Sequence, residues 1–287
     1  MTFRSPSGPF WGSRPGDGAR LLLFGAPLDL TGSGLRGTAQ GPTAIRQASH
    51  NIESYSPQLE GDLFEAGLAD LGDVELDGLD LRTALAEIER AAAELLERGV
   101  PIMLGGEHTA TLAAFRAVRR AYPAAALLCL DAHLDMADEL DGRTVAHGTW
   151  AARLGEEHGL EALTLLGVRS GGREEWRRAR GCAWSSPDLA MPKRVRQALA
   201  GRPIYLSVDI DVLDPSAAPG TGCPEPGGPG SKELFHFLHG LAGLNLVGLD
   251  VMEVLPAVDP AGITATVAAK VVRELGIMIG SPLPLFK

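Results

Sequence analysis

The strongest constraint on the fold of this chain is an alternation of short apolar runs with helical patterns. The run AAALLCLD at 124–131 is apolar up to its final aspartate, and apolar residues recur at helical spacing in LRTALAEIERAAAELLERG at 81–99. The alternation predicts strands at 20–27, 100–106, 124–131, 162–170, 181–184, 203–211 and 244–253, and helices at 81–99, 109–122, 147–155, 173–179, 193–200, 231–241 and 262–279. Such strands with helices between them indicate a parallel sheet covered on both faces, so we expect an α/β fold.

Composition and charge narrow the class of protein. The chain has 287 residues, 45% of them hydrophobic, with no internal repeat, so we expect one domain over 1–287 with a Gly/Pro-rich N-terminal arm at 1–19. A formal charge of −10 disfavours nucleic acid and anionic membranes as partners, and no apolar run reaches the roughly 18 to 20 residues of a membrane span. The three cysteines are widely spaced and no signal segment is evident, which predicts a cytoplasmic location.

Acids and histidines gather where four of the predicted strands end. The segments that carry them are GGEH, which closes the strand at 100–106, DAHLD, which closes the strand at 124–131, VDID at the end of 203–211, and VME at the end of 244–253. Because the carboxyl ends of parallel strands meet at one edge of a sheet, these side chains should lie close together. They are His108, Asp131, His133, Asp135, Asp209, Asp211 and Glu253.

Each of these residues has an ordinary structural explanation when taken alone. His108 could cap a helix, D-x-D followed by Pro is common in turns, and Glu253 could be a solvated strand end. Taken together, crowded carboxylates and imidazoles are costly to bury unless a cation lies among them. The number of ligands favours two divalent ions, and a mainly oxygen set suits manganese better than structural zinc. Water activated between two such ions is typical of hydrolytic enzymes.

Four segments of the chain resemble the signatures of the ureohydrolase family, which includes arginases and agmatinases. They are GGEHTAT, DAHLD, SVDIDVLDPSAAPGTGCPEPGG and DVMEVLPAVD, in the order and spacing of the family. GAPLDL, GPTAIR and GVRS look like further landmarks, so the likeness spans about residues 20–280. The resemblance implies a three-layer α/β/α fold with a mainly parallel, roughly eight-stranded sheet, a binuclear centre with two Mn²⁺ per chain, and a homo-oligomer, either a trimer or a hexamer.

The same resemblance implies a set of metal ligands. One Mn²⁺ would be held by His108, Asp131, Asp135 and Asp209. The other would be held by His133 and Asp211 together with the two bridging aspartates, Asp131 and Asp209.

The resemblance further implies the catalytic roles. Asp135 would give a proton to the departing amine after water attacks the guanidinium carbon, and Glu253 would face the guanidinium. A planar, permanently charged guanidinium suits a carboxylate partner on physical grounds too. His147, in VAHGT, would bind substrate and shuttle a proton; the alternative is a loop histidine that only packs.

The loop after the DAHLD motif predicts the type of substrate. Ala137 stands where arginases carry an asparagine that reads the substrate carboxylate, and the following residues include Asp138, Glu139 and Asp141. Such an acidic rim, with Asp138 as a substrate-binding residue, suits a small cationic guanidino compound that ends in an amine. The alternative is that these acids are simply solvated. Cys223 stands where agmatinases commonly carry threonine.

We therefore expect Mn-dependent hydrolysis of agmatine or aminopropylagmatine to urea and the corresponding amine, a step of polyamine biosynthesis. The alternative within the family is an arginase or another guanidino-acid ureohydrolase. Two alternatives come from other classes: a zinc deacetylase-like amidohydrolase, which uses one metal ion, and a non-catalytic binding protein that keeps the fold.

Overall fold

A computed structural model describes residues 3–6, 8–14 and 18–280 of the chain. Its main sheet has nine strands: β1 (Phe3–Arg4), β2 (Leu21–Ala26), β5 (Leu68–Val74), β6 (Val100–Gly105), β7 (Ala126–Leu130), β8 (Leu163–Leu166), β9 (Trp184–Ser186), β10 (Pro203–Asp209) and β11 (Asn245–Met252). Their order across the sheet is β1-β5-β2-β6-β11-β10-β7-β8-β9. Only the pairing of β1 with β5 is antiparallel in this sheet as described. A separate hairpin joins β3 (Tyr55–Ser56) to β4 (Gly61–Asp62).

The helices cover both faces of the main sheet. They are α1 (Gly41–Ser49), α2 (Leu81–Leu96), α3 (Thr109–Ala121), α4 (Trp150–His158), α5 (Arg173–Ala179), α6 (Lys193–Leu199), α7 (Ser231–His239) and α8 (Ile263–Gly280). Along β7, Leu128 belongs to an apolar cluster with residues of α1, α7 and α8, whereas Leu127 and Cys129 belong to a second cluster with α2, α3 and α4. Successive strand residues thus point to opposite helical layers, and the predicted α/β/α fold is confirmed.

The sheet has one strand more than the roughly eight expected, and β1, β5 and α1 were absent from the sequence-based assignment. Strand β1 is formed by the N-terminal segment, in which Phe10 is also buried in the core. Strand β5 and helix α1 were missed because β5 carries Asp70 and Asp73, and α1 is short and begins with Gly-Pro.

A buried ion pair between α1 and β5 explains how these acids are accommodated. Arg46 Nε lies 2.8 Å from Asp70 Oδ2, and Arg46 Nη1 lies 2.6 Å from Asp73 Oδ1. The Asp70 carboxylate also accepts the Phe10 N–H at 2.8 Å, so the pair attaches the N-terminal segment as well. Paired charges of this kind can occupy an interior that would exclude them singly.

Strands β6, β11, β10 and β7 are neighbours in the middle of the sheet. They are parallel, so their carboxyl ends lie side by side, and each is followed by polar residues noted in the sequence. This topology places the candidate site above the centre of one sheet edge. No helix within the described ranges has the length and hydropathy needed to cross a membrane.

Candidate metal centre

The sheet brings all six predicted metal ligands into one cluster. His108 Nδ1 lies 2.9 Å from Asp209 Oδ2, 3.1 Å from Asp131 Oδ2 and 3.6 Å from Asp135 Oδ2. His133 Nδ1 lies 3.0 Å from Asp211 Oδ2 and 3.7 Å from Asp131 Oδ1. Asp131 therefore contacts both histidines, which suits a residue shared between two ion sites.

The donor atoms fit divalent cations. His108 is 1% exposed, yet its Nδ1 makes no hydrogen bond within the described part of the chain, although carboxylate oxygens surround it. Two overlapping sets of donor atoms lie close enough to one another to hold a metal ion: Asp131 with His108 and Cys129, and Asp131 with His133 and Asp211. An unpartnered imidazole nitrogen among carboxylates is the environment of a divalent ion with mixed nitrogen and oxygen ligands.

The electrostatics of the cluster also favour a cation. Burial and the neighbouring Asp131 charge raise the pKa of Asp135 to about 8. Burial and the charge of Asp211 raise the pKa of Asp209 well above its ordinary value. Burial acts on Asp131 as well, but the adjacent imidazoles of His108 and His133 outweigh it and lower its pKa. These opposed shifts arise because carboxylates share one buried space, and divalent ions would stabilise all of them as anions.

Two site residues adopt backbone conformations that are unusual for side chains larger than glycine. Asp135 has φ of 50° and Glu253 has φ of 63°. Trp150 Nε1 donates to Asp135 Oδ2 at 2.7 Å, and the Ala151 N–H donates to the Asp135 carbonyl at 3.1 Å. The Glu253 N–H donates to the Gly106 carbonyl at 2.9 Å. Such conformations persist where surrounding contacts enforce them, and they concentrate at functional sites.

A cavity of about 240 Å³ opens above the cluster. Four predicted metal ligands contribute to its lining, and the other side chains discussed below that face it are Glu253, His147, Ala137, Cys223 and Glu175. Glu253 Oε1 accepts the His108 N–H at 2.6 Å, and burial raises the pKa of this carboxyl to about 8. The site thus joins the cluster to a further acid that can bind a cationic group.

His147 lies at the wall of this cavity, as the sequence predicted for a substrate-loop residue. The ring nitrogen Nε2 of His147 lies 3.1 Å from Ser33 Oγ, and the backbone N–H of His147 donates to Thr31 Oγ1 at 3.0 Å. Burial lowers the pKa of His147, which favours a neutral imidazole. A neutral imidazole has a lone pair on one nitrogen and a proton on the other, so it can accept a proton and release one, as a proton shuttle requires.

Asp138 is not among the described residues that line the cavity. Its side chain is 76% exposed and forms an ion pair with Arg178 of α5. Glu139 and Asp141 are also exposed. The acidic loop that suggested a rim around the substrate therefore points largely to solvent and to α5.

Glu175 is the cavity-lining acid that sequence reasoning missed. It lies in the first turn of α5, where its Oε2 accepts the Gly172 N–H at 2.6 Å and its Oε1 accepts the Met136 N–H at 3.1 Å. A glutamate three residues after a helix cap is a recognised capping signal, which could have located the residue but not its orientation toward the cavity.

Arg169 is a second missed residue, and it ties together the loops behind the site. Its guanidinium donates to the carbonyl oxygens of Gly167, Asp211, Val212, Leu213, Glu225 and Pro226. The Asp211 carbonyl is 3.1 Å from Nη2, so the residue that carries a predicted metal ligand is anchored from behind. GVRS was noted in the sequence, but the carbonyl partners of Arg169 other than Gly167 lie in distant segments.

The fold and this site together define a hydrolase of the ureohydrolase class, which acts on linear guanidines. The family model described as "Arginase family" matches residues 19–278, and the chain belongs to the arginase family.

Individual relatives agree with this membership. The chain is similar to an agmatinase of Halalkalibacterium halodurans, with 39% identity over 90% of this chain and 91% of the relative. It is also similar to a guanidinobutyrase of Pseudomonas aeruginosa, with 35% identity over 90% of this chain and 86% of the relative. Among solved structures, proclavaminate amidino hydrolase from Streptomyces clavuligerus superposes with a TM-score of 0.86 and 31% identity, covering 95% of this chain and 97% of that one.

Proposed function

We propose that this protein is a Mn²⁺-dependent ureohydrolase that splits agmatine, or its aminopropyl derivative, into urea and the corresponding amine. The observation that carries the proposal is a single cavity lined both by predicted metal ligands and by two further acids, Glu253 and Glu175. A substrate with a guanidinium at one end and an ammonium at the other has the charges that these two acids complement.

The proposed chemistry divides between the ions and the chain. Two Mn²⁺ held by His108, Asp131, His133, Asp135, Asp209 and Asp211 would supply an activated water. Glu253 binds the guanidinium through its carboxylate and orients it above the ligand cluster. Asp135 holds the proton that the departing amine requires, while Trp150 fixes one of its carboxyl oxygens by a hydrogen bond of 2.7 Å. His147 exchanges protons with solvent at the cavity wall.

The lining of the cavity supports an amine over a carboxylate at the far end of the substrate. No lysine or arginine is among the described lining residues, so a guanidino acid would find no cationic side chain there. Ala137 lines the cavity and has no polar group to read a carboxylate. Glu175 would repel a carboxylate and attract an ammonium. Asp138 stays a candidate only for an indirect contribution, because Arg178 neutralises it.

A guanidino acid is the second candidate substrate, since a guanidinobutyrase is among the relatives of the chain. The deciding experiment measures urea release by Mn-loaded protein from agmatine, aminopropylagmatine, L-arginine, guanidinobutyrate and guanidinopropionate. Preference for either guanidino amine supports the proposal, and preference for an acid refutes the proposed amine recognition. Absence of urea from all five would favour a non-catalytic binding protein, and one tight Zn²⁺ per chain with amide hydrolysis would favour a deacetylase-like enzyme.

The remaining parts of the proposal concern the cell. All three cysteines are free thiols, which supports a reducing cytoplasm. The amine product would enter polyamine biosynthesis. The active form would be a homo-oligomer, either a trimer or a hexamer, and light scattering in solution would test this.

A further inference from the structure

A buried hydrogen-bond network lies directly beneath His108. His108 Nε2 is 2.9 Å from Ser207 Oγ, and Ser207 Oγ donates to Asp250 Oδ1 at 2.6 Å. Asp250 Oδ2 accepts the hydroxyls of Tyr205 and Thr111, each at 2.8 Å. All five side chains are at most 1% exposed. The network connects Nε2, the imidazole nitrogen that does not contact the aspartate cluster, to an aspartate that is not itself a predicted ligand.

The chemistry of the partners determines where the protons lie. A carboxylate can only accept hydrogen bonds, so Ser207 must give its single hydroxyl proton to Asp250. Ser207 Oγ is then left with lone pairs toward His108, and the hydrogen bond exists only if His108 Nε2 carries the proton. In the neutral imidazole, the form that can bind a metal ion, Nδ1 consequently bears the free lone pair. This is the atom that lies 2.9 Å from Asp209 and 3.1 Å from Asp131 and has no hydrogen bond among the described residues.

We propose that Asp250, acting through Ser207, is a positioning residue that fixes the metal-binding tautomer and orientation of His108. The inference deepens the proposed metal-dependent function and rests on it. Partners behind a metal-ligating histidine orient the ring and raise its basicity, and their loss typically weakens metal binding about 10- to 100-fold.

The two oxygens of Asp250 have different partners, so Asp250→Asn has a specific predicted effect. The asparagine oxygen would stay at the position that accepts from Tyr205 and Thr111, which places the amide NH₂ against Ser207. Ser207 would then accept from the amide and turn its own proton toward His108 Nε2. That arrangement favours a proton on Nδ1, which must leave before a metal ion can bind.

Tyr205→Phe is the matched control. It removes one donor to Asp250 from the same buried network but leaves the Ser207 bridge to His108 intact. Both variants are expected to lose comparable stability, measured as the free energy of urea unfolding without metal. Only Asp250→Asn should weaken Mn²⁺ binding, by about 10- to 100-fold in a chelator competition, whereas Tyr205→Phe stays within about threefold of the wild type.

A spectroscopic readout separates positioning from a general structural defect. In protein loaded with diamagnetic Zn²⁺, the His108 Nε2–H proton should give a downfield NMR signal that exchanges slowly. Asp250→Asn and Ser207→Ala should shift that signal upfield or lose it to exchange, and Tyr205→Phe should leave it in place. If Asp250→Asn does not fold, Ser207→Ala tests the same link, with Thr111→Val as its control.

Wild-type Mn²⁺ affinity together with an unchanged Nε2–H signal in Asp250→Asn or Ser207→Ala would overturn the inference. Equal weakening in Tyr205→Phe would overturn it as well, because the effect would then follow stability. Neither the Mn²⁺ affinity nor the NMR signal depends on hydrolysis of a guanidine. A wild type that binds metal but releases no urea would therefore refute the proposed function without refuting the role of Asp250.

Discussion

Replacing Glu253 by glutamine should remove recognition of the guanidinium while leaving the metal cluster intact. Glu253 Oε1 accepts the His108 N–H at 2.6 Å, and the side chain also lines the cavity. In Glu253→Gln the amide oxygen can keep the bond to His108. The amide NH₂ must then face the cavity, where a guanidinium also presents only N–H donors.

The size of the effect follows from this exchange of an acceptor for a donor. Breaking one partner of a buried charge pair costs about 3–5 kcal/mol, because the remaining charge is left without compensation. Converted at about 1.4 kcal/mol per factor of ten, this corresponds to a loss of about 140- to 3,700-fold in kcat/KM for agmatine. Metal content should not change, because no predicted role of Glu253 is that of a ligand.

The assay compares urea release and bound Mn²⁺ in Glu253→Gln with the same measurements in Glu97→Gln. Glu97 is exposed at the end of α2, so its acid-to-amide change controls for the loss of one negative charge. Glu97→Gln should match the wild type. The reasoning is refuted if Glu253→Gln retains kcat/KM within threefold of the wild type, or if its activity loss follows a loss of metal.

Three further predictions test other parts of the site. Asp211→Ala should lower bound Mn²⁺ from two ions toward one and cut turnover severely; full activity at normal metal content would contradict the ligand assignment. Glu175→Gln should raise KM for agmatine about tenfold, equivalent to about 1.4 kcal/mol, and leave guanidinobutyrate kinetics unchanged or improved; an equal change for both substrates would exclude a role in reading the amine. Alkylation of Cys223, the exposed thiol at the cavity, should abolish activity in a manner that agmatine slows. Cys223→Ser should resist the reagent, and persistent inactivation of that variant would place the reaction elsewhere.

Much of the metal cluster could be predicted from the sequence, because its residues lie in short motifs at the ends of predicted strands. Asp131, His133 and Asp135 follow one apolar run at alternate positions, and Asp209 and Asp211 repeat the spacing at the end of another. Parallel strands deliver such residues to one edge, so the convergence required only the correct fold class. The structure brings those groups together as expected, and their roles as ligands await the metal measurements above.

What the sequence could not indicate depends on partners distant along the chain. The sequence suggested that Asp138 was available to bind substrate, but in the structure it forms an ion pair with Arg178 of α5. The position of α5 relative to Asp138 follows only from the packed fold. The sequence of β5 is not typical of a buried strand, because it contains two aspartates. The structure shows that Arg46 pairs with both of them. Glu175 belongs to an ordinary helix start, and only the packing of α5 beside the cavity gives it a second use.

The hydrogen bonds from Arg169 to the surrounding backbone carbonyls limit which nearby positions can be mutated to alter the substrate range. A side chain added at Gly228 would place its first carbon 2.6 Å from Arg169 Nη2 and 2.7 Å from the Val212 carbonyl oxygen. Every residue other than glycine would therefore push apart the segments that the guanidinium gathers. Cys223, five positions earlier in the same loop, faces open cavity instead. The two positions of this loop therefore differ in their tolerance of substitution. Libraries aimed at new guanidines can vary position 223, whereas position 228 must stay glycine.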